Sequence, residues 1–248
     1  MRKFGLIGFP LEHSFSKEYF TRKFQKENIS DCIYENYSIE KIELFDLIIK
    51  QNPDLIGLNV TIPYKQKVIP FLNEIDDEAD IVGAVNTVKI CRLEERTILK
   101  GFNTDIYGFE ESIKPMLQVH HKKALILGTG GASKAVAFVF KKLNISFIYV
   151  SRNPTNANAI SYSQLTPQIV RENTIIVNTS PLGMFPNTKT SPDIPYNSIT
   201  ANHILFDLIY NPEKTLFLKI GEQKNAIIIN GLPMLQIQAD KSWQIWNS

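Results

Sequence analysis

The sequence predicts an α/β protein with two mostly parallel sheets, and three observations carry that reading. Short apolar runs alternate with segments of helical period along most of the 248 residues. Residues 1–60 read as β-α-β-α-β, the pattern of a parallel sheet with its own helices. Near Lys122 a second series begins, at an apolar run that ends in glycine and leads into a helix of small residues.

The elements follow in order. Residues 4–8 form a strand, 17–28 a helix with Tyr19, Phe20 and Phe24 on one face, and 33–37 a strand. Residues 42–50 are apolar at helical spacing and closed by Pro53, and 55–60 are a buried strand. Two short helical segments follow, near 65–72 and 76–82. Residues 85–91 and 97–102 alternate and pair as a hairpin over the charged turn 92–96. Asn103-Thr-Asp105 caps a helix that runs to about Ile113, and Pro115 ends it. The second series places strands at 124–127, 145–150, 174–178, 203–207 and 227–229, with the Pro/Asn/Ser-rich stretch 181–198 as loop. Asn230-Gly-Leu-Pro233 opens a last helix, proline in its first turn. There Leu235, Ala239, Trp243 and Trp246 recur at spacings of four, four and three, so one face is expected to pack back on the first sheet. The domains expected are residues 1–105 plus 230–248, and residues 106–229.

Bulk composition narrows the class. Lys and Arg number 27 against 25 Asp and Glu, and no basic stretch is dense enough for nucleic acid. Cys32 and Cys91 form no framework and are expected as reduced thiols. No apolar run approaches membrane-spanning length, and the N-terminus reads as a strand rather than a signal peptide. The histidines are not at metal-ligand spacings, and His120 and His121 are expected in an exposed stretch between domains. A cytoplasmic protein follows, with a small-molecule partner, no metal, no membrane and no nucleic acid, acting as a monomer or homodimer.

The run Ala124-Leu-Ile-Leu127 ends at Gly128, with Gly130 and Gly131 close behind. Strand, glycine turn and helix in that order aim backbone N–H groups and the positive helix end at a phosphate. The spacing is G-x-G-x-x-S, and Ser133 is small enough for close helix–strand packing. A tight turn with no ligand could use the same glycines, but the flanking strand and helix favour a Rossmann-type dinucleotide site. The next strand ends in Ser151-Arg152-Asn153. An NAD-selective site usually carries Asp or Glu there; a guanidinium favours a 2′-phosphate and stacks on adenine, so NADP is expected over NAD.

Elsewhere, polar residues gather at strand ends: Ser14, Ser16, Asn59, Thr61, Lys65, Asn86, Thr87, Asn103 and Asp105. Each has a plain structural use. Ser14 or Ser16 could cap the first helix, Asn103 or Thr104 the one after the hairpin, and Lys65 could be a solvated lysine. As a set, small hydroxyls, amides, one Lys and one Asp suit a polyhydroxylated acid and one proton transfer. Beside a dinucleotide site, that set points to an alcohol–ketone oxidoreductase.

The motifs themselves are recognisable. Gly8-Phe-Pro-Leu-Glu-His-Ser-Phe-Ser16, Asn59-Val-Thr-Ile-Pro-Tyr-Lys65, Gly83-Ala-Val-Asn-Thr87, Gly101-Phe-Asn-Thr-Asp105, Gly128-Thr-Gly-Gly-Ala-Ser133, Asn178-Thr-Ser-Pro-Leu-Gly-Met184 and Asn230-Gly-Leu-Pro-Met-Leu-Gln-Ile-Gln-Ala239 occur in order over nearly the whole chain. They closely resemble the shikimate dehydrogenase family. The resemblance implies an N-terminal substrate domain, a central NADP domain, a last helix returning to the first, and an active site in the cleft. It implies that Ser14 and Ser16 hold the substrate carboxylate, and that Asn59, Thr61, Asn86, Asp105 and Gln238 hold the ring hydroxyls, with Tyr210 closing the site. Lys65 would be the acid/base and Asp105 its partner. Gly128, Thr129, Gly130, Gly131 and Ala132 would cradle the pyrophosphate. Ser151, Arg152, Asn153 and Asn156 would take the adenosine phosphate, and Asp77, Leu208 and Gly231 would line the cofactor.

The chemistry agrees with that assignment. Reducing a ketone needs hydride on carbon and a proton on the emerging alkoxide, and a protonated lysine near the oxygen supplies the second. The implied reaction is reversible reduction of 3-dehydroshikimate to shikimate in aromatic amino-acid biosynthesis. One departure matters: Asn156 stands where the family often has a second cation, which predicts weaker NADP preference and keeps a quinate/shikimate dehydrogenase with NAD use as an alternative. A non-catalytic ligand sensor would be expected to lack the Lys65/Asp105 pair, which is present.

Overall fold

The computed structural model describes residues 1–11, 14–94, 96–154 and 157–248. The chain divides into two compact units, Met1–Thr104 with Gln238–Ser248, and Asp105–Ile237.

The first unit contains β1 (Arg2–Gly8), α1 (Phe15–Lys26), β2 (Cys32–Ser38), α2 (Phe45–Gln51), β3 (Leu55–Val60), β4 (Glu74–Ile75), α3 (Asp77–Val82), β5 (Thr87–Arg92) and β6 (Thr97–Phe102). The sheet order is β2-β1-β3-β5-β6-β4. β1 runs parallel to both β2 and β3, while β5 is antiparallel to β3 and β6. Alternation along β1 decides which side chain goes where. Phe4 and Leu6 enter one core with Phe20, Phe24, Tyr34, Ala239 and Trp246, and Ile7 enters the other with Phe45, Leu55, Leu58, Val60 and Tyr64.

The helix α8 (Leu232–Asn247) supplies the Gln238–Ser248 part of this unit. Trp246 stacks on Phe4 at 5.0 Å between centroids, Trp243 meets the same ring edge-on at 5.2 Å, and Trp246 Nε1 donates to the Val88 carbonyl at 3.1 Å. Residues 65–72 are not the expected helix. They hold a single 3-10 turn, Ile69–Phe71. Pro70 lacks the N–H and crowds the carbonyl four residues back, so a regular helix cannot pass through it.

The second unit begins within α4 (Thr104–Ile113) and continues through β7 (Lys123–Leu127), α5 (Gly131–Lys142), β8 (Ser146–Ser151), β9 (Ala159–Ser161), α6 (Pro167–Glu172), β10 (Ile175–Asn178), β11 (Ile204–Asp207), α7 (Leu216–Gln223) and β12 (Ile227–Ile229). Its sheet runs β12-β11-β10-β7-β8-β9, every neighbour parallel. Leu125, Leu127, Val150, Ile176, Leu205 and Phe217 fill one face, and the rings of Phe109, Phe140 and Phe206 meet in the other core. His121 corrects the expectation of exposure. It is 3% exposed, its Nδ1 accepting from the Gln118 amide at 2.8 Å and its Nε2 facing the Asn202 carbonyl at 3.1 Å. His120 beside it is exposed, as expected.

Candidate active site

Each sheet reverses its strand order once, and several of the residues singled out from sequence follow the strands beside that reversal. In the first unit β1 has β2 on one side and β3 on the other. Chains leaving the carboxyl ends of two such strands diverge and open a crevice between them. From β1 the chain leads to α1, whose N-cap is Ser14, its hydroxyl accepting from the Lys17 amide at 3.2 Å. From β3 it turns through Thr61 to Lys65. The Thr61 amide donates to the Ile7 carbonyl at 2.9 Å, and the Lys65 carbonyl accepts from the Val85 amide at 2.7 Å. The Lys65 side chain is half-buried.

The buried amides are joined by hydroxyls. Asn59 Oδ1 accepts from the Tyr34 hydroxyl at 2.8 Å, and its Nδ2 donates to Ser242 Oγ at 3.0 Å and Thr87 Oγ1 at 3.2 Å. Ser16 lies in the first turn of α1, half-buried. Asn86 Oδ1 accepts from the Thr104 amide at 2.7 Å, one of the N–H groups that the start of α4 leaves without an intrahelical partner. Asn86 Nδ2 and Thr104 Oγ1 both donate to Gln238 Oε1, at 3.4 and 3.2 Å. Ser242 Oγ lies 2.8 Å from Thr87 Oγ1 and 3.2 Å from Thr104 Oγ1. Asn59, Asn86 and Gln238 thus stand in one network with Tyr34, Thr87, Thr104 and Ser242. Asn103 instead donates to the Ala84 carbonyl at 2.9 Å. Asp77 is exposed in the first turn of α3.

Tyr34 and Ser242 were not expected. Tyr34 lies in a strand that reads as ordinary core, but Ser242 follows Gln238 by one helical turn, a spacing that could have flagged it.

In the second unit the order reverses at β7, with β8 on one side and β10 on the other. Gly128 follows β7 with φ +115°, and a Cβ there would lie 2.8 Å from Thr179 Oγ1, so both backbone and space require glycine. Thr179 packs beneath the turn, its hydroxyl donating to the Leu127 carbonyl at 2.9 Å. Thr129, Gly130 and Gly131 are exposed where α5 begins, with Gly130 as N-cap and Ala132 half-buried behind them. Ser133 is buried, its hydroxyl donating to the Gly130 carbonyl at 2.6 Å. The open backbone N–H groups at this helix start fit a pyrophosphate.

At the end of β8, Ser151 Oγ accepts from the Asn153 amide at 3.3 Å, a turn that leaves Arg152 and Asn153 exposed. Asn156 lies outside the described residues. Asp105 opens this unit in the first turn of α4, and Tyr210 is 38% exposed. The Leu208 amide donates to the Asn178 carbonyl at 3.0 Å. Gly231 lies so close that a Cβ would meet the Leu208 carbonyl oxygen at 2.1 Å.

Asp207, at the end of β11, is a further group that the sequence did not single out. Its carboxylate accepts from Thr215 Oγ1 at 2.6 Å, Asn178 Nδ2 at 3.0 Å and the Ile209 amide at 3.1 Å. Burial outweighs those donors and pushes its pKa up to about 6. Among the described residues no group of three or more His, Cys, Asp or Glu could hold a metal, and no helix is long and apolar enough to cross a membrane.

A glycine turn that opens a helix after a parallel strand in one unit, and a buried network of amides and hydroxyls in the other, suit a dinucleotide-dependent oxidoreductase. A family model described as the shikimate dehydrogenase substrate binding domain matches residues 6–88. A shikimate dehydrogenase (NADP(+)) of Methanosphaera stadtmanae is 35% identical over 259 residues, spanning 98% of this chain and 90% of the relative. Among solved structures, shikimate dehydrogenase 1 of Peptoclostridium difficile superposes with a TM-score of 0.83 at 39% identity, over 100% of this chain and 92% of that one. Shikimate 5-dehydrogenase of Thermus thermophilus, in complex with NADP(H) and shikimate, has a TM-score of 0.86 at 29% identity, over 99% and 93%. The chain belongs to the shikimate dehydrogenase family.

Proposed function

We propose that this chain reversibly reduces 3-dehydroshikimate to shikimate with NADPH, in the shikimate pathway of aromatic amino-acid biosynthesis in the cytoplasm. The observation that carries the reading is that the donors for a polyhydroxylated acid and the phosphate-binding turn occur in one chain whose relatives match along nearly its whole length.

In this reading Ser14 and Ser16 donate to the substrate carboxylate, and Asn59, Thr61, Asn86 and Gln238 meet the ring hydroxyls, with Tyr210 closing over them. Gly128, Thr129, Gly130, Gly131 and Ala132 hold the pyrophosphate. Ser151, Arg152, Asn153 and Asn156 hold the adenosine phosphate, and Asp77, Leu208 and Gly231 line the cofactor. When bound, the cofactor exchanges a hydride with the ring carbon. Lys65 Nζ gives the alkoxide oxygen its proton and stabilises the growing charge. In the reverse direction it takes the proton back, with Asp105 orienting lysine and hydroxyl. Residues 1–105 with 230–248 are assigned to substrate and 106–229 to cofactor.

One observation favours a second reading. Arg152 is followed by Asn156 where the family often has another cation, so some use of NAD, or of quinate, is expected. Rates with shikimate and with quinate, each with NADP and with NAD, separate the two. Shikimate with NADP fastest supports the first, and quinate with NAD fastest replaces it.

A further inference from the structure

Tyr34 is 4% exposed on β2, and its ring is held by apolar neighbours. It stacks on Phe20 at 4.6 Å between centroids and 13° between planes, within the cluster that includes Phe4 and Trp246. A phenylalanine would fill that space equally well. The hydroxyl does something a phenylalanine cannot: it donates to Asn59 Oδ1 at 2.8 Å. Tyr34 therefore ties β2 to the end of β3. From the end of β3 come proposed contacts to the ring hydroxyls.

The Asn86 carbonyl, which can only accept, fixes which way Asn59 faces. Its Nδ2 is directed at that carbonyl at 3.3 Å, Thr87 Oγ1 at 3.2 Å and Ser242 Oγ at 3.0 Å, which leaves its oxygen to the Tyr34 hydroxyl. A flipped amide would set its oxygen against the Asn86 carbonyl oxygen. One phenol hydroxyl thus anchors the oxygen of an amide that reaches, through Thr87 and Ser242, to Thr104 and Gln238. Groups held in their binding arrangement beforehand spare the complex the cost of ordering them.

We propose that Tyr34 is a positioning residue for the substrate, its hydroxyl holding Asn59 in the arrangement that the ring hydroxyls meet. The proposal rests on the substrate reading above.

The test is Tyr34→Phe, which keeps the ring and removes only the hydroxyl. The KM for shikimate should rise about tenfold, equivalent to about 1.4 kcal/mol. The KM for NADP should stay within about twofold of the parent, and the melting temperature should change little, because loss of one hydrogen bond costs far less than loss of a ring. Phe20→Leu is the packing control. It should lower the melting temperature while leaving the KM for shikimate within about twofold of the parent, its hydroxyl chain intact. In a double-mutant cycle, Asn59→Ala with Tyr34→Phe should raise that KM by clearly less than the product of the single effects. An unchanged KM for shikimate in Tyr34→Phe, an equal rise in Phe20→Leu, or a multiplicative double mutant overturns the proposal. A parent chain that does not oxidise shikimate at all overturns the substrate reading, and this inference with it.

Discussion

Lys65 carries the chemistry in this account, and its removal has the largest expected effect. Lys65→Ala should lower kcat by about 10²- to 10⁴-fold, the usual range for a lost general acid, with a modest change in the KM for shikimate. Unchanged turnover would take the lysine out of the mechanism. Arg152→Ala should raise the KM for NADP about tenfold or more, as for a lost charged hydrogen bond, and that for NAD far less. Equal effects would mean that the arginine does not read the 2′-phosphate. Asp207 makes a pH-dependent prediction. Its folded pKa of about 6 lies above the ordinary 3.8, so between those values the folded state binds more protons than the unfolded. Its contribution to stability therefore falls as pH rises through that window. Asp207→Asn keeps an oxygen for Asn178 and the Ile209 amide, and should gain on the parent by on the order of 2 kcal/mol between pH 4 and pH 7. A constant difference in urea midpoints across that range would contradict it. His121 and His203 act in the opposite sense in both proteins, since burial lowers their pKa values and their contribution weakens on acidification. Among single residues, the sequence could propose those that a ligand type explains: serine hydroxyls, amides, glycines and a lysine. Tyr34 and Asp207 were beyond it, because nothing in an apolar strand tells whether its one polar atom ends on a neighbour from a distant segment.

At the scale of elements, local signals predicted more than half-hidden ones. The strand, glycine turn and helix of residues 123–142 and the hairpin of β5 and β6 were readable because period and turn residues agree there. The short helix α6 was missed although Thr166 caps it and Pro167 occupies its first position, a start signal available in the sequence. α7, eight residues with Gly221 inside, owes its place to packing of Phe217 and Leu218 rather than to propensity. Residues 65–72 erred the other way, apolar spacing outweighing Pro70. The last helix was legible by its row of tryptophans, and its weight in the first unit can be measured. Trp246 is 4% exposed, packs on Phe4 and bonds the Val88 carbonyl. Trp246→Ala should destabilise the protein by about 3–5 kcal/mol in urea unfolding, and a loss under about 1 kcal/mol would mean that α8 is not part of that core.

For the molecule as a whole, the two β-α series predicted two mostly parallel sheets, and two six-stranded sheets are found, the second parallel throughout and the first with β5 antiparallel to both neighbours. A net charge of +2 offers no broad field to draw polyanions, so in the proposed reading affinity for a phosphorylated cofactor comes from placed groups such as the glycine turn and Arg152. Binding to the folded state alone would stabilise it, by about 2.7 kcal/mol when NADP is present at a hundred times its Kd. The central claim is that one chain joins this dinucleotide turn to a lysine-bearing acid site for a single redox reaction. Its most direct test is the rate at which reduced nicotinamide forms from shikimate and NADP, in the parent and in Lys65→Ala. Rapid formation in the parent, nearly abolished in the variant and slower with quinate or with NAD, is the predicted result; a parent that leaves shikimate untouched, or a variant that oxidises it as fast, would contradict the account.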